Sequence, residues 1–257
     1  MIEFDQASFD ASKQLLTKAR SLQFGRRLYR YSQNGDLYWL KMQLSNGHPD
    51  VIQGFHHELQ LYKNSTLNKL LLPHVMTHYH DSEILVLPHA EPFLEEVDVL
   101  SCAQIQTKIL QMLNYLQSFH QQGWIHGDLK PEHWVLYKAK LYLLDVEQAQ
   151  RLNSPLKPLH ATPRYMAPEL FHGEDKTIKT DLYALGIVLL QWLNGTLLQA
   201  NSYQDWAYLH CQHLNIALKA EHQAFLPLLQ TLLARQKQHR IDDFDRLKLQ
   251  LVLENAQ

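Results

Sequence analysis

The hydrophobic period of this chain changes once, near residue 90, and that change limits the possible folds more than any other feature. Before it, RRLYRYSQNGDLYWLKMQL (residues 26–44) sets Tyr38, Leu40 and Met42 in alternation beyond an Asn34-Gly35 pair, the mark of two strands joined by a tight turn. Residues 51–64 suit a short helix, and EILVLPHA, from Glu83, reads as a buried strand halted by Pro88. After the change, Ile105, Ile109, Met112, Leu116 and Phe119 recur at helical spacing behind a Ser101 placed to cap them. Residues 181–194 are apolar nearly all round, as in a helix buried inside a helical layer, and Gly195 supplies its stop. Residues 220–235 and 241–253 predict two further helices, and there is no internal repeat or low-complexity segment. The expectation is an α+β fold in one domain spanning residues 1–257. Its small antiparallel-sheet lobe with one helix covers about residues 1–90, a larger, mainly helical lobe covers about 91–257, and a cleft falls near residue 90.

Composition removes several classes of function. A chain of 257 residues that is 46% hydrophobic can fill a core, and a formal charge of −2 gives no bulk attraction for nucleic acid or an anionic membrane. Cys102 and Cys211 lack metal-ligand or redox spacing, as expected for two separate thiols in a reducing compartment. The N-terminus, MIEFDQASFDASK, carries acids where a secretory signal needs basic and apolar regions. The longest apolar run, LYALGIVLL from Leu182, is too short to span a bilayer. These features predict a cytoplasmic protein with no membrane span and no nucleic-acid partner.

The chemistry concentrates in WIHGDLKPEHWVLYKAKLYLLDVEQAQ, residues 124–150. HWVLY and LYLLD read as two strands on top of the helical lobe, joined by a turn at residues 138–140, with Asp128 in the loop before them and Asp145 just after. Two acids facing one cleft with Lys130 between them suit a reaction on a polyanion. One carboxylate orients a hydroxyl, the other binds a divalent metal, and the lysine neutralises charge on a transferred phosphoryl group. The plainer alternative is a solvated turn, because Asp, Lys, Pro and Glu are ordinary turn residues.

Read together, HGDLKPEH and LLDVE resemble the catalytic and metal-binding loops of the protein kinase family. ATPRYMAPE, residues 161–169, is similar to the end of a kinase activation segment, and KTDLYALGIVLL resembles the central helix of the large lobe, beginning with Asp181. QHRIDDF supplies Arg240 at the position of the arginine that pairs with the glutamate of APE, here Glu169. In the small lobe YWLK resembles the strand bearing the nucleotide lysine, Lys41, and HHEL offers Glu58 as its helix partner. The resemblance runs in order from about residue 15 to 250. It implies an ATP-dependent phosphotransferase using Mg2+ or Mn2+, and Lys130 with Thr162 points to serine or threonine of a protein substrate rather than tyrosine. By the same resemblance Asp128 orients the acceptor hydroxyl, Lys130 stabilises the γ-phosphoryl group, and Thr162 helps hold both. Asp145 and His133 bind metal, while Lys41, paired with Glu58, positions the α- and β-phosphates. Gly25 stands at the last of three phosphate-loop glycine positions, and Leu85, Leu87 and His89 border the adenine pocket.

Several residues depart from the family pattern. The phosphate-covering loop is ARSLQFGRRLYRY, with Arg20 and Leu22 near the other two glycine positions, so backbone cradling is poorer. Arg26 or Arg27 either supplies charge in its place or stands on a solvated strand. Trp39 either reshapes or fills the base pocket or, one register away, faces outward. Gly127 stands where many protein kinases have an arginine, which removes pairing with a phosphorylated activation loop. HGD is also the form in aminoglycoside- and choline-kinase-like phosphotransferases. His133 replaces a metal-binding asparagine, as in some bacterial lipopolysaccharide-core kinases, and as a softer ligand it favours Mn2+. Glu147 replaces the loop glycine of the metal-binding motif, either as a metal-facing acid or as an ordinary loop residue. Two alternatives to a bacterial serine/threonine kinase therefore stand: a kinase for a small hydroxyl-bearing molecule or lipopolysaccharide sugar, and a catalytically weak pseudokinase acting as a binding module. His56, His57, His74, His78 and His80 lack metal-site regularity and read as surface residues.

Overall fold

The computed structural model describes residues 2–64, 66–154 and 161–253, without the side chains of Arg20, Val252 and Leu253. The chain divides into two compact units, residues 1–91 with 135–147 and residues 92–134 with 148–257.

The first unit is built on helix α1 (Gln6–Ser12), strand β1 (Gln14–Leu15), helix α2 (Ala19–Leu22), strands β2 (Arg26–Gln33) and β3 (Asp36–Gln43), helix α3 (Pro49–Tyr62), and strands β4 (Val75–Tyr79) and β5 (Ser82–Pro88). The strands form one antiparallel sheet in the order β1-β2-β3-β5-β4. Its central hairpin turns at Asn34 (φ 54°) and Gly35 (φ 85°). These left-handed residues give the turn a twist that matches the strands, and asparagine and glycine reach that region most easily. Cross-strand pairing sorts the sheet into two faces. Tyr31, Leu40, Met42, Ile84 and Val86 lie on one, closed over by Phe9 of α1, whose burial contributes roughly 1.5–3 kcal/mol. Arg26, Leu28, Arg30, Trp39, Lys41, Gln43, Leu85 and Leu87 lie on the other, because residues directly opposite each other share a face.

Pro49 opens α3 at a position where its missing N–H costs nothing, and the His48 ring accepts the Asp50 N–H at 3.3 Å. The helix buries Phe55, Glu58, Leu59 and Tyr62, a stripe at helical spacing. A glutamate within that stripe needs a charged partner, since an unpaired buried carboxylate is strongly unfavourable.

Beyond a short strand β6 (Glu91–Pro92) the second unit begins. Ser101 and Gln104 form a reciprocal capping box on helix α4 (Cys102–Gln121), as the sequence predicts for Ser101. Strand β7 (Trp124–Ile125) later pairs with β10 (Gln150–Arg151). Between them, strands β8 (Trp134–Tyr137) and β9 (Lys140–Leu143) form the expected hairpin, turning at Lys138 and Ala139, both with positive φ. Residues 135–147 group with the first unit, not with the helical part where the sequence placed them. Contacts distant in sequence account for this: Lys140 Nζ donates to the Lys69 carbonyl at 2.8 Å, and Lys41 pairs with Asp145.

The rest of the second unit comprises helices α5 (Pro168–Phe171), α6 (Ile178–Asn194), α7 (Tyr203–Tyr208), α8 (Leu226–Leu232) and α9 (Phe244–Leu253). Helix α6 is buried along almost its whole length and ends at Gly195 (φ 63°). The single helix expected over residues 220–235 is instead a 3₁₀ stretch, Ala220–Phe225, followed by α8. Pro227 lacks the N–H to continue a helix and starts a new one. Helix α9 starts three residues later than expected, where the Asp243 carboxylate accepts the N–H groups of Asp245 and Arg246. A sheet unit and a helical unit make this an α+β fold, and no described helix is long and apolar enough to cross a membrane.

Candidate active site

Lys41, on the polar face of β3, has three N–H donors and meets three carboxylates. Its Nζ lies 2.6 Å from Glu58 Oε2, 2.7 Å from Glu147 Oε1 and 3.0 Å from Asp145 Oδ1. The pairing expected between Lys41 and Glu58 is therefore present, and it answers the charge buried within α3. Asp145 adopts a left-handed backbone (φ 59°), which aspartate tolerates better than most residues, and Glu147 follows on a single helical turn. The other oxygen of Glu147, Oε2, pairs with the Arg26 guanidinium.

Counted with all three carboxylates ionised, the cluster carries one more negative charge than its two cations balance. Burial pulls the Lys41 ammonium down, but Asp145, Glu147 and Glu58 outweigh it and hold the pKa well above the ordinary value. Burial pushes the Glu58 carboxyl up; Lys41 opposes that, Glu147 and Asp145 reinforce it, and the net shift is upward. Among the described residues, Glu58, Asp145 and Glu147 form the one group of metal-capable side chains, with ligand atoms within 4.8 Å of one another. Their hard oxygens are of the kind Mg2+ and Mn2+ take, and the adjacent cations suit phosphate, so the residues fit a metal-nucleotide complex.

The register decides the position of Trp39. It pairs with Leu87 and shares the face of Lys41, so the outward placement is ruled out, and its ring packs 4.9 Å from the half-buried His89 ring. Leu85 and Leu87 are buried on the same face. Gly25 has a packing requirement of its own. It sits at φ +86°, and a Cβ there would lie 2.5 Å from Gln43 Nε2 and 2.8 Å from Gly47 Cα, so packing and turn geometry demand glycine. Part of the segment before it is the helical turn α2 rather than an extended loop. Arg27 points to the face opposite Lys41, where its Nη1 donates to the Leu22 carbonyl at 3.0 Å.

In the second unit, Asp181 at the start of α6 anchors the loop that carries Asp128. Its carboxylate accepts the N–H groups of His126 and Gly127, both at 2.8 Å, and lies 2.9 Å from His120 Nε2. Burial raises the Asp181 pKa, but the His120 contact and these further partners hold it below the usual carboxylate range. The loop turns at Gly127 (φ +78°), where a Cβ would come 2.9 Å from the Gln148 carbonyl; no larger residue fits this conformation. Asp128 then presents Oδ2 to Lys130 Nζ at 2.7 Å and accepts the Thr162 N–H on Oδ1 at 2.8 Å. Burial pushes this carboxyl up, yet Lys130, the His133 field and Thr162 together lower it, so Asp128 is ionised at neutral pH. Thr162 thus meets Asp128 through its backbone. His133 is buried beside this loop, its ring 5.6 Å from that of His126.

Glu169 of α5 receives the fully buried Arg240 in a two-pronged pair, with Nη1 to Oε1 at 2.7 Å and Nη2 to Oε2. Nε and Nη1 of Arg240 also donate to the carbonyls of Ala234 and Lys179.

Glu147 as a partner of both Lys41 and Arg26, and His120 beneath Asp181, were not assigned from sequence. For His120 a signal existed: it continues the buried stripe of α4 through Leu113, Leu116 and Phe119, where a histidine needs a polar partner. Among the five clustered histidines, His56, His78 and His80 are exposed and His57 and His74 half-buried, with no metal-capable group among them.

Comparison with known proteins agrees with this geometry. The model of the protein kinase domain family matches residues 29–248. A protein of Acanthamoeba polyphaga mimivirus, named as a candidate serine/threonine-protein kinase, is 26% identical over 148 residues, covering 54% of this chain and 53% of its own. Serine/threonine-protein kinase Pkn1 of Myxococcus xanthus is 32% identical over 108 residues, 38% of this chain and 16% of its own. Serine/threonine-protein kinase ULK1 of Homo sapiens is 28% identical over 168 residues, 60% of this chain and 16% of its own. The chain spans about half, or less, of the length of these relatives. With the family match running through both compact units and most of the sequence, the chain belongs to the protein kinase domain family.

Proposed function

We propose that this domain transfers the γ-phosphoryl group of ATP to a serine or threonine hydroxyl of a protein, with Mg2+ or Mn2+ as cofactor. The observation that carries the reading is Asp128, ionised and fixed between Lys130 Nζ and the Thr162 N–H. A carboxylate so held is oriented to accept a hydrogen bond from an acceptor hydroxyl and to take its proton as the phosphoryl group transfers. Lys130 stands beside it to stabilise negative charge on that group. In the first unit, Lys41 positions the α- and β-phosphates with Glu58 fixing its direction, and Leu85, Leu87 and His89 border the base. Asp145, also in this unit, is the proposed metal ligand. The divalent cation, when bound, neutralises charge on the phosphates.

A second reading, a nucleotide-binding module without transfer, is favoured by one feature, Trp39 on the nucleotide face against His89. The test is to incubate purified protein with labelled ATP and each of Mg2+ and Mn2+, then map phosphate by mass spectrometry on the protein and on added lysate proteins. Phosphoserine or phosphothreonine is expected. ATP binding with no transferred phosphate would favour the module, and label confined to a sugar or other small hydroxyl compound would replace the protein substrate.

A further inference from the structure

We propose that Arg26 and Lys41 together form the cation pair that receives the nucleotide's phosphates, and that Glu147 guards it by holding the place of a phosphate until one binds. The proposal rests on the nucleotide reading above and adds two residues to it, one cation and one competing anion.

The geometry assigns both roles. Glu147 spans the two cations with one oxygen on each, Oε1 on Lys41 and Oε2 on Arg26. Two oxygens of a phosphate group would bridge an ammonium and a guanidinium in the same manner. Arg26 is the arginine for this task because strand alternation places it on the face of Lys41, while Arg27 lies on the other face and donates to Leu22. It also stands where backbone amides of a flexible glycine loop are missing: the preceding segment includes the turn α2, and Gly25 is committed to packing against Gly47 and Gln43.

The charge count explains why Glu147 is the group that yields. Three carboxylates lie within 3.0 Å of Lys41 Nζ, so a phosphate can reach the ammonium only if one of them gives way. Glu58 is fixed within the buried stripe of α3, and Asp145 is assigned to metal. Glu147 is the remaining one and shares both cations that the phosphate needs. A phosphate that displaces it exchanges one charge-assisted contact for another, so the guard lowers affinity without destroying the site.

The test compares wild type with Glu147→Gln, measuring affinity for ATP with Mg2+, inorganic tripolyphosphate and adenosine. The expected result is that Glu147→Gln tightens ATP and tripolyphosphate by about tenfold, the scale of one charge-assisted contact that no longer has to be broken, and leaves adenosine unchanged. Adding Arg26→Gln to that variant should reverse most of the gain. If the Gln variant does not fold, Glu147→Asp keeps the charge but, one methylene shorter, cannot span both cations, and a smaller gain is expected. Equal or weaker tripolyphosphate binding by folded variants, with wild type still binding ATP, overturns the guard and leaves the nucleotide reading intact. No ATP binding by wild type or either variant overturns both.

Discussion

Glu169 and Glu147 are both buried and each faces an arginine, yet their surroundings differ in kind. Arg240 is fully buried, both of its Nη groups meet Glu169, and backbone carbonyls take further N–H groups. Thr180 donates to the same glutamate at 3.3 Å. Charges match one to one and no ligand is needed to complete the set. Arg26, by contrast, is only half-buried, and Glu147 shares Lys41 with two other carboxylates, leaving an excess negative charge. A buried pair with matched charge and filled hydrogen bonds acts as a strut. An unmatched cluster beside solvent is a place where an incoming ligand can rearrange charge.

The largest effect that separates the two is on stability. Arg240→Ala strands the Glu169 carboxylate and should cost about 3–5 kcal/mol in urea unfolding, whereas Glu147→Gln removes an excess charge and should cost under about 1 kcal/mol. Equal losses for the two variants would erase the distinction.

A buried histidine in the second unit gives a pH signature. His210 is buried among Phe171, Tyr183 and Trp206, and burial lowers its pKa from 6.5 to about 4. The folded state therefore holds it neutral while the unfolded chain takes up a proton below pH 6.5. This contribution to stability is present above pH 6.5 and declines as pH falls towards 4, by about 3 kcal/mol in total. Unfolding measured across that window should show the decline in wild type and a flatter profile in His210→Gln; identical profiles would mean the ring is not held neutral.

Smaller in free energy is the effect on the unmatched cluster. Lys41→Met should weaken ATP binding or turnover at least tenfold, about 1.4 kcal/mol, through loss of a charge-assisted phosphate contact. Unchanged affinity and rate would remove Lys41 from the site.

What the sequence discloses follows the range of the interactions involved. Asn34-Gly35, the Ser101 cap, the stop at Gly195 and the apolar circumference of α6 are local signals, and each marks its element correctly. The family resemblance carries two long-range pairs, Lys41 with Glu58 and Arg240 with Glu169, because those residue types recur in order. Period-2 alternation alone leaves Trp39 on either face; only its pairing with Leu87 decides. Glu147 bridges Arg26 at a separation of 121 residues, beyond any local pattern, and the packing of Gly25 against Gly47 and Gln43 is equally invisible to one. Pro227 is a local signal too, because a proline inside a periodic run begins a helix more readily than it continues one.

The role of Asp128 is read most directly from Asp128→Asn beside wild type, with ATP affinity and phosphoryl transfer measured separately on the same preparations. Asp128 is held by Lys130 and Thr162 and is assigned to the acceptor hydroxyl, not to the nucleotide. ATP affinity should stay within a few-fold of wild type and transfer should fall by about 100-fold or more, the scale of a positioned acid–base group. Transfer at the wild-type rate in a folded Asp128→Asn protein would contradict that role.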